Sequence, residues 1–141
     1  MSKGTFKKVE ASTTPMYGPR AMLVCGFPPA EQQAVTALLK ETRVSHVPVI
    51  FAVRSDGTVR LSELLTQPDQ SGRDSESGLS RAIVLSGITE NELHRILAAY
   101  RQSGLPRPLW ATLTPTSETW PLSELLSELE AERQAMEQQK Q

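Results

Sequence analysis

Hydrophobic residues are arranged along the chain in two similar series. In each series a short apolar run ends at a glycine, and a stretch with helical spacing follows. The runs are Met22–Cys25 before Gly26 and Ala82–Leu85 before Gly87. A continuous apolar run of this length is typical of a strand that is covered on both faces. The pattern therefore predicts two central strands, each leading into a helix.

The two series align with each other as an internal repeat. A shift of 61 positions places residues 21–65 on residues 82–126 without a gap, bringing MLVCGF over IVLSGI and LSELL over LSELL. Such self-similarity indicates a repeated structural unit. Each copy is interpreted as strand, helix, strand, helix, so the chain is predicted to be an α/β protein built from two tandem copies of one unit.

The helices carry recognisable ends. In the second copy Thr89 and Glu92 have the spacing of a capping box, and Gly104 is a typical helix terminator. The last helix is predicted to begin near Leu122 and to continue beyond the repeat, with an apolar stripe that reaches Met136. This stripe either covers the core or binds a partner.

The second strand of each copy is predicted at a sheet edge. These strands are Val47–Val53 and Leu109–Thr114, and prolines precede or enter both of them. Proline cannot donate a hydrogen bond to a neighbouring strand, which favours an edge position. The predicted strand order is therefore 2-1-3-4, with a pseudo-twofold axis between strands 1 and 3.

Two arrangements satisfy this order. If the axis runs along the strands, all four strands are parallel and the crossover helices lie on opposite faces. If the axis is normal to the sheet, strands 1 and 3 are antiparallel and those helices share one face. We favour the parallel sheet, because the central strands are apolar on both sides.

Polar segments set the predicted domain limits. Residues 1–20 are interpreted as a disordered tail, and residues 66–78 as an exposed polar linker. The first repeat is residues 21–65 and the second is residues 79–129, both within one globular domain. Residues 130–141 are interpreted as a helix extension with a frayed end.

Composition narrows the function classes. The chain has 141 residues, a net charge of -1 and a single cysteine. Without an excess of positive charge, nucleic-acid binding is disfavoured. RNA or ribosome association through Lys3, Lys7 and Lys8 is kept as a third hypothesis. No apolar run is long enough for a membrane span and no disulfide can form, so we expect a cytoplasmic protein.

The loops after the two central strands are the predicted ligand-binding position. In a parallel sheet they meet at one edge and lead into helix N-termini, which favour anions. The candidate residues are Cys25, Gly26, Ser86, Gly87 and Thr89. The alternative is that both glycines only permit a tight turn, since one glycine per loop falls short of a phosphate-binding motif.

Catalytic chemistry finds little support in the sequence. Cys25 is either a reactive thiol at a helix N-terminus or a small buried residue. Glu31 and Glu92 occupy equivalent positions in the two copies. They are either paired carboxylates for acid-base chemistry or helix-capping residues. With two histidines and one cysteine, we expect no metal, no cofactor and no catalytic residue.

The second copy resembles a known family. Its segments IVLSGITENEL and LWATLTPTSETWPLSELLSEL, within residues 82–129, are similar to a bacterial-type domain of unknown function numbered 3783. The family pattern has threonine where Pro121 follows Trp120. The resemblance implies no activity, but it points to Thr114, Thr116 and Trp120. These residues either contact a ligand or shape a turn and pack the last helix.

The leading hypothesis is a non-catalytic interaction or regulatory module with an unidentified protein partner, because no catalytic constellation is recognisable. A homo-oligomer formed through the last helix or the edge strands is one form of this hypothesis. The alternative is a protein or enzyme that binds a small anionic ligand between the loops after strands 1 and 3.

Overall fold

The computed structural model describes residues 14–44 and 46–140. Its helices and strands follow the predicted sequence of strand, helix, strand, helix in both halves. They are β1 Ala21–Cys25, α1 Pro29–Glu41, β2 Val49–Ala52, α2 Leu61–Leu64, β3 Ala82–Ser86, α3 Glu90–Ser103, β4 Leu109–Thr112 and α4 Leu122–Lys140. Short 3₁₀ turns at Arg54–Thr58 and Ser117–Thr119 precede α2 and α4.

The four strands form one sheet in the order β2-β1-β3-β4, which confirms the predicted order and the α/β class. β1 and β2 are parallel, as are β3 and β4. The central strands β1 and β3 are antiparallel, with Leu23 opposite Val84. The preference for a fully parallel sheet is therefore wrong at this central pair, and the second predicted geometry is observed.

The central strands are apolar on both sides because helices cover both faces of the sheet. α1 and α3 pack on one face, against Met22, Val24, Ile83 and Leu85. α2 and α4 pack on the other face, against Leu23, Cys25, Ala82 and Val84. The crossover helices thus share a face, as expected for the antiparallel centre. Burial on both faces does not distinguish the two strand directions.

Equivalent positions of the two halves meet at a pseudo-twofold axis normal to the sheet. Leu23 and Val84 pair directly, and their numbers differ by 61. The same relation joins Arg60 and Pro121, which form a bridge beneath the sheet. There the Leu61 N–H donates to the Trp120 carbonyl, and the Leu122 N–H donates to the Val59 carbonyl, each at 3.0 Å. The interpretation as a duplicated unit is consistent with these correspondences.

The described part of the predicted tail, residues 14–20, packs against the second half of the chain. The Met16 N–H donates to the Ile88 carbonyl at 2.8 Å, and the Gly87 N–H donates to the Tyr17 carbonyl at 3.1 Å. The tail interpretation is wrong for these residues. Residues 1–13, with Lys3, Lys7 and Lys8, and Gln141 lie outside the described residues. Within the described ranges, no helix has both the length and the apolar character needed to cross a membrane.

Candidate functional site

The loops after β1 and β3 lie at opposite ends of the sheet. The antiparallel register places Cys25 opposite Ala82 and Ser86 opposite Ala21. Strands of this length span about 13 Å at 3.3 Å per residue. Cys25 and Gly26 are therefore separated from Ser86 and Gly87 by the length of a strand. The hypothesis that these loops share a small anionic ligand is wrong, because it required parallel central strands.

Both glycines permit close packing of the two halves. Gly26 has a φ of +76°, and a Cβ there would lie 2.6 Å from the Leu79 carbonyl oxygen. Gly87 has a φ of +66°, and its Cβ would lie 2.5 Å from the Gly18 carbonyl oxygen. Each glycine loop thus packs closely against the residues that lead into the central strand of the other half. The structure therefore favours the alternative in which the two glycines permit a tight turn. They also allow the two halves of the chain to approach each other closely.

Ion pairs occupy the first turns of the two crossover helices. Arg20 precedes β1 and binds Glu92 of α3 with two hydrogen bonds, of 2.6 and 2.8 Å. Arg81 precedes β3 and binds Glu31 of α1; its guanidinium also lies 4.6 Å from the centroid of the Phe27 ring. Each pair joins one half of the chain to the other, and the two pairs are related by the 61-residue shift.

The Glu92 carboxylate is engaged in an ion pair and in a helix cap. The hydrogen bonds from Arg20 are the main cause that lowers the pKa of Glu92 to about 2, and the pKa of Arg20 is raised in turn. The carboxylate also completes the predicted capping box. Glu92 Oε1 accepts from the Thr89 N–H at 2.9 Å, and Thr89 Oγ1 accepts from the Glu92 N–H at 3.1 Å. The Thr89 hydroxyl is thus committed to the helix.

Cys25 and Ser86 occupy equivalent buried positions at the ends of β1 and β3. Burial, with a smaller effect of Asp56, raises the pKa of the Cys25 thiol to about 12, so the reactive thiolate is absent at neutral pH. Ser86 is 1% exposed, and its Oγ has no hydrogen-bond partner among the described residues. Both residues lie in the core.

The three residues indicated by the family resemblance lie after β4, at the same end of the sheet as Ser86. Thr114 Oγ1 accepts from the Ser117 N–H at 3.0 Å, and Ser117 Oγ accepts from the Thr114 N–H at 3.1 Å. Thr116 is exposed in the same turn. Trp120 packs against the core on the α2 and α4 side. These contacts favour a role in shaping the turn and positioning α4.

The outer edge of β2 is closed by the segment interpreted as an exposed linker. The Val49 N–H donates to Asp69 Oδ1 at 2.8 Å, and the Val49 carbonyl accepts from the Gln70 N–H at 2.6 Å. The Phe51 N–H donates to the Ser71 carbonyl at 2.8 Å. The outward backbone groups of β2 are therefore paired within the chain.

The outer edge of β4 differs from that of β2. The N–H groups of Leu109 and Leu113 donate to β3 or the residue before it, so the alternate residues Trp110 and Thr112 face outward. Their backbone N–H and C=O groups have no partner among residues 14–44 and 46–140. We call these four groups the β4 edge. Trp110 and Thr112 are the equivalents of Val49 and Phe51.

Two of the cavities beside the β4 edge are lined by both Arg107 and Trp110. The first, of about 480 Å³, lies on the α3 side and is lined by Leu97, Tyr100, Arg101, Leu105, Arg107, Pro108 and Trp110. Neither Arg101 nor Arg107 forms an ion pair within the described part of the chain. The second, of about 780 Å³, lies along α4 and includes Met136, which is 62% exposed. The β4 edge thus lies between an apolar and cationic cavity and an exposed helix.

Sequence reasoning placed β4 at the margin of the sheet but did not identify the backbone groups that lack a partner among the described residues. It also missed Arg20 and Arg81. The recurrence of these arginines at the 61-residue shift, together with Glu31 and Glu92, was an available signal. Among the described residues, no group of three or more His, Cys, Asp or Glu side chains could hold a metal ion.

The fold and site define an α/β domain with one sheet edge closed by its own chain and the other unpaired in the described residues. Residues 81–136 match the family model described as a domain of unknown function, DUF3783. The match confirms the resemblance and contains β3, α3, β4 and most of α4. No curated protein and no solved structure shows significant similarity to the chain. The family carries no stated activity.

Proposed function

We propose that the chain is a non-catalytic interaction module that binds an extended segment of a partner protein at the β4 edge. The observation that carries this proposal is the difference between the equivalent strands β2 and β4. The outward groups of Val49 and Phe51 are paired, whereas those of Trp110 and Thr112 have no partner among the described residues. An exposed row of backbone donors and acceptors is the surface on which an added strand binds.

The cavity beside the β4 edge indicates the chemistry of the partner segment. Arg101 and Arg107 supply two guanidinium groups without ion-pair partners in the described chain, next to the apolar surface of Leu97 and Trp110. A segment with an acidic residue near Arg107 and an apolar residue beside Trp110 complements this surface. Such a segment fits the module better than a basic one.

We assign no catalytic role, because the candidate reactive groups are either buried or engaged in structural contacts. The Cys25 thiol is buried and protonated. The Glu92 carboxylate and the Thr89 hydroxyl are committed to an ion pair and a helix cap. Chemistry at these groups would require exposing the Cys25 thiol, breaking the ion pair between Glu92 and Arg20, or opening the N-terminal cap of α3.

Thr112→Pro tests the proposed site. The Thr112 N–H faces outward, so proline removes a donor of the β4 edge without removing a hydrogen bond to β3, and edge strands tolerate proline in this orientation. Partner proteins cross-linked to the chain in cells should be lost with Thr112→Pro and kept with the matched control Thr112→Val. Circular dichroism checks that both variants are folded.

Two results would contradict the proposed function. If every captured protein binds Thr112→Pro as well as it binds Thr112→Val, the β4 edge is not the binding site. If turnover of any substrate is detected and is lost with Cys25→Ala or Thr116→Ala, the non-catalytic assignment is wrong.

A further inference from the structure

The first half of the chain contains a cavity equivalent to the one beside Trp110. It has a volume of about 330 Å³ and lies beside Val49. Each of the seven residues that line the cavity beside Trp110 has its equivalent, 61 positions earlier, in this lining, so that Arg107 corresponds to His46. The two cavities are therefore the same structural feature in the two halves of the chain.

The cavity beside Val49 has additional lining from the segment that closes β2. That lining consists of Asp69, Gln70 and Arg73. The 61-residue shift places the equivalents at residues 130–134, which lie within α4. Leu129 stands in place of Pro68, so no proline interrupts α4 there. The equivalent residues are thus engaged in a helix, and the described part of the chain supplies no substitute for them in the cavity beside Trp110.

Residues 69–72, which we call the closing segment, show how an edge of this shape is satisfied. The Asp69 carboxylate makes two contacts. Its Oδ1 accepts from the Val49 N–H at 2.8 Å, and its Oδ2 lies 3.5 Å from His46 Nε2. A carboxylate at this place therefore binds an outward backbone N–H and pairs with a basic side chain at the same time.

Two backbone contacts follow the carboxylate. The Gln70 N–H donates to the Val49 carbonyl at 2.6 Å, and the Ser71 carbonyl accepts from the Phe51 N–H at 2.8 Å. Residue numbers increase together along both chains, so the closing segment runs parallel to β2. It bends at Gln70 and Gly72, where φ is +72° and +75°. At Gly72 a Cβ would lie 2.0 Å from the Phe51 carbonyl oxygen, so glycine is required.

We propose that a partner segment with the sequence pattern Asp-x-x-Gly binds the β4 edge as residues 69–72 bind β2. Its aspartate carboxylate accepts from the Trp110 N–H and pairs with Arg107, which stands in place of His46. The next residue donates its N–H to the Trp110 carbonyl, and the residue after that accepts from the Thr112 N–H. This inference rests on the proposed function and specifies the partner segment by its sequence, its parallel direction and its bend.

Arg107 suits this aspartate better than His46 suits Asp69. A guanidinium keeps its charge throughout the physiological pH range and presents several donors to a carboxylate. Arg107 is exposed and forms no ion pair with the described residues, so the described chain does not neutralise its charge. The arginine therefore strengthens the contact in the half where a partner supplies the carboxylate.

The specific contact ends at the glycine. In the first half, Gln32 Oε1 accepts from the Asp74 N–H at 2.8 Å and holds the chain beyond Gly72. Leu93 occupies the equivalent position in α3 and offers no acceptor. The residues that follow the glycine in the partner are therefore unrestricted.

A peptide of residues 66–74 of this chain, which contains the closing segment, tests the inference without any partner. Added at millimolar concentration to the isotope-labelled full chain, it should shift the amide resonances of Trp110 and Thr112. The amides of Val49 and Phe51 should not change, because the chain's own closing segment pairs with them.

The direction of the peptide is tested separately. A paramagnetic label at its N-terminus should broaden the amide resonance of Arg107 more than that of Thr114, because the start of a parallel segment lies beside the start of β4. Gly72→Ala in the peptide should abolish binding, since the added Cβ would collide with the Thr112 carbonyl as it would with that of Phe51 in the first half.

A double-mutant cycle tests the ion pair. Asp69→Asn in the peptide keeps an acceptor oxygen but removes the charge, and Arg107→Ala in the chain removes the guanidinium. Each should weaken binding by about tenfold, and the two together no more than either alone. Arg95→Ala, at an exposed position of α3 outside the cavity, is the matched control and should leave binding unchanged.

Three results would overturn the inference. They are unchanged amides of Trp110 and Thr112 at millimolar peptide, broadening that is stronger at Thr114 than at Arg107, and additive effects in the cycle. If captured partners are lost with Thr112→Pro but their cross-linked segments lack Asp-x-x-Gly, the proposed function stands and this inference is wrong. If the peptide binds as expected but no captured partner depends on Thr112, the peptide specificity stands and the proposed function is wrong.

Discussion

Ser86 shows how the two halves differ at a single buried position. It ends β3 where the equivalent Cys25 ends β1, and both side chains are buried. The Ser86 hydroxyl has no hydrogen-bond partner among the described residues. A buried hydroxyl without a partner costs free energy on folding, whereas the thiol behaves as a small apolar group.

Replacement of Ser86 by alanine should therefore stabilise the protein. We expect Ser86→Ala to raise the free energy of unfolding by about 1 kcal/mol, as measured by urea denaturation. Ser117→Ala is the matched control, since the buried Ser117 hydroxyl bonds Thr114 and its loss should destabilise the protein by a similar amount. Equal destabilisation by both variants would show that the Ser86 hydroxyl is satisfied in solution.

Individual residues whose role depends on neighbours along the chain were predictable. The Thr89 and Glu92 capping box and the left-handed Gly104 terminator are present at the predicted places. Residues whose role depends on distant neighbours were not. Nothing near Arg20 in the sequence reveals that its guanidinium reaches Glu92.

At the scale of elements, the Arg20 and Glu92 pair fixes α3 to the chain entering β1. The pKa of Glu92 falls from 4.5 to about 2 on folding, so the pair stabilises the fold above pH 4.5. This contribution is lost as the pH falls from 4.5 toward 2, because the carboxylate is then protonated. The Glu92 side chain is 12% exposed, and allowance for screening gives about 2 kcal/mol.

Glu92→Gln tests this pair. Glutamine keeps the shape and a capping oxygen but removes the charge, so the free energy of unfolding at pH 7 should fall by about 2 kcal/mol. The acid-dependent loss of stability between pH 4.5 and 2 should become shallower. Glu90→Gln, on the same helix turn, is the matched control and should change neither quantity. Urea denaturation at pH 7, 4.5 and 2.5 measures both, and an unchanged acid profile would contradict the assignment.

The edge positions of β2 and β4 were predictable because proline limits hydrogen bonding wherever it occurs. The closure of β2 was not. Asp69, Ser71 and Gly72 have the composition of an exposed turn, and they contact β2 residues that lie about 20 positions away in the chain. Segments with the same composition can be free or paired, since composition does not record backbone pairing.

For the whole molecule, the sequence predicted the strand order but not the direction of the central pair. Both arrangements bury β1 and β3 on two faces, so the hydrophobic pattern does not distinguish a parallel from an antiparallel central pair. The ion pairs in the structure do distinguish the two arrangements. Arg20 enters β1 and Glu92 follows β3, and they meet only if these strands run in opposite directions. The same holds for Arg81 and Glu31, so both observed contacts require an antiparallel centre.

Because each ion pair joins one half of the molecule to the other, a chain that contains a single unit lacks the ion-pair partners that the other half supplies. A chain of residues 79–140 alone leaves one edge of β3 open and Glu92 without Arg20. Two such molecules can pair β3 with β3 about Val84, and Arg81 of each copy then meets Glu92 of the other. We expect a homodimer in analytical ultracentrifugation. Arg81→Glu should dissociate it, and Arg81→Glu combined with Glu92→Arg should restore it. A folded monomer would show that one unit is self-sufficient.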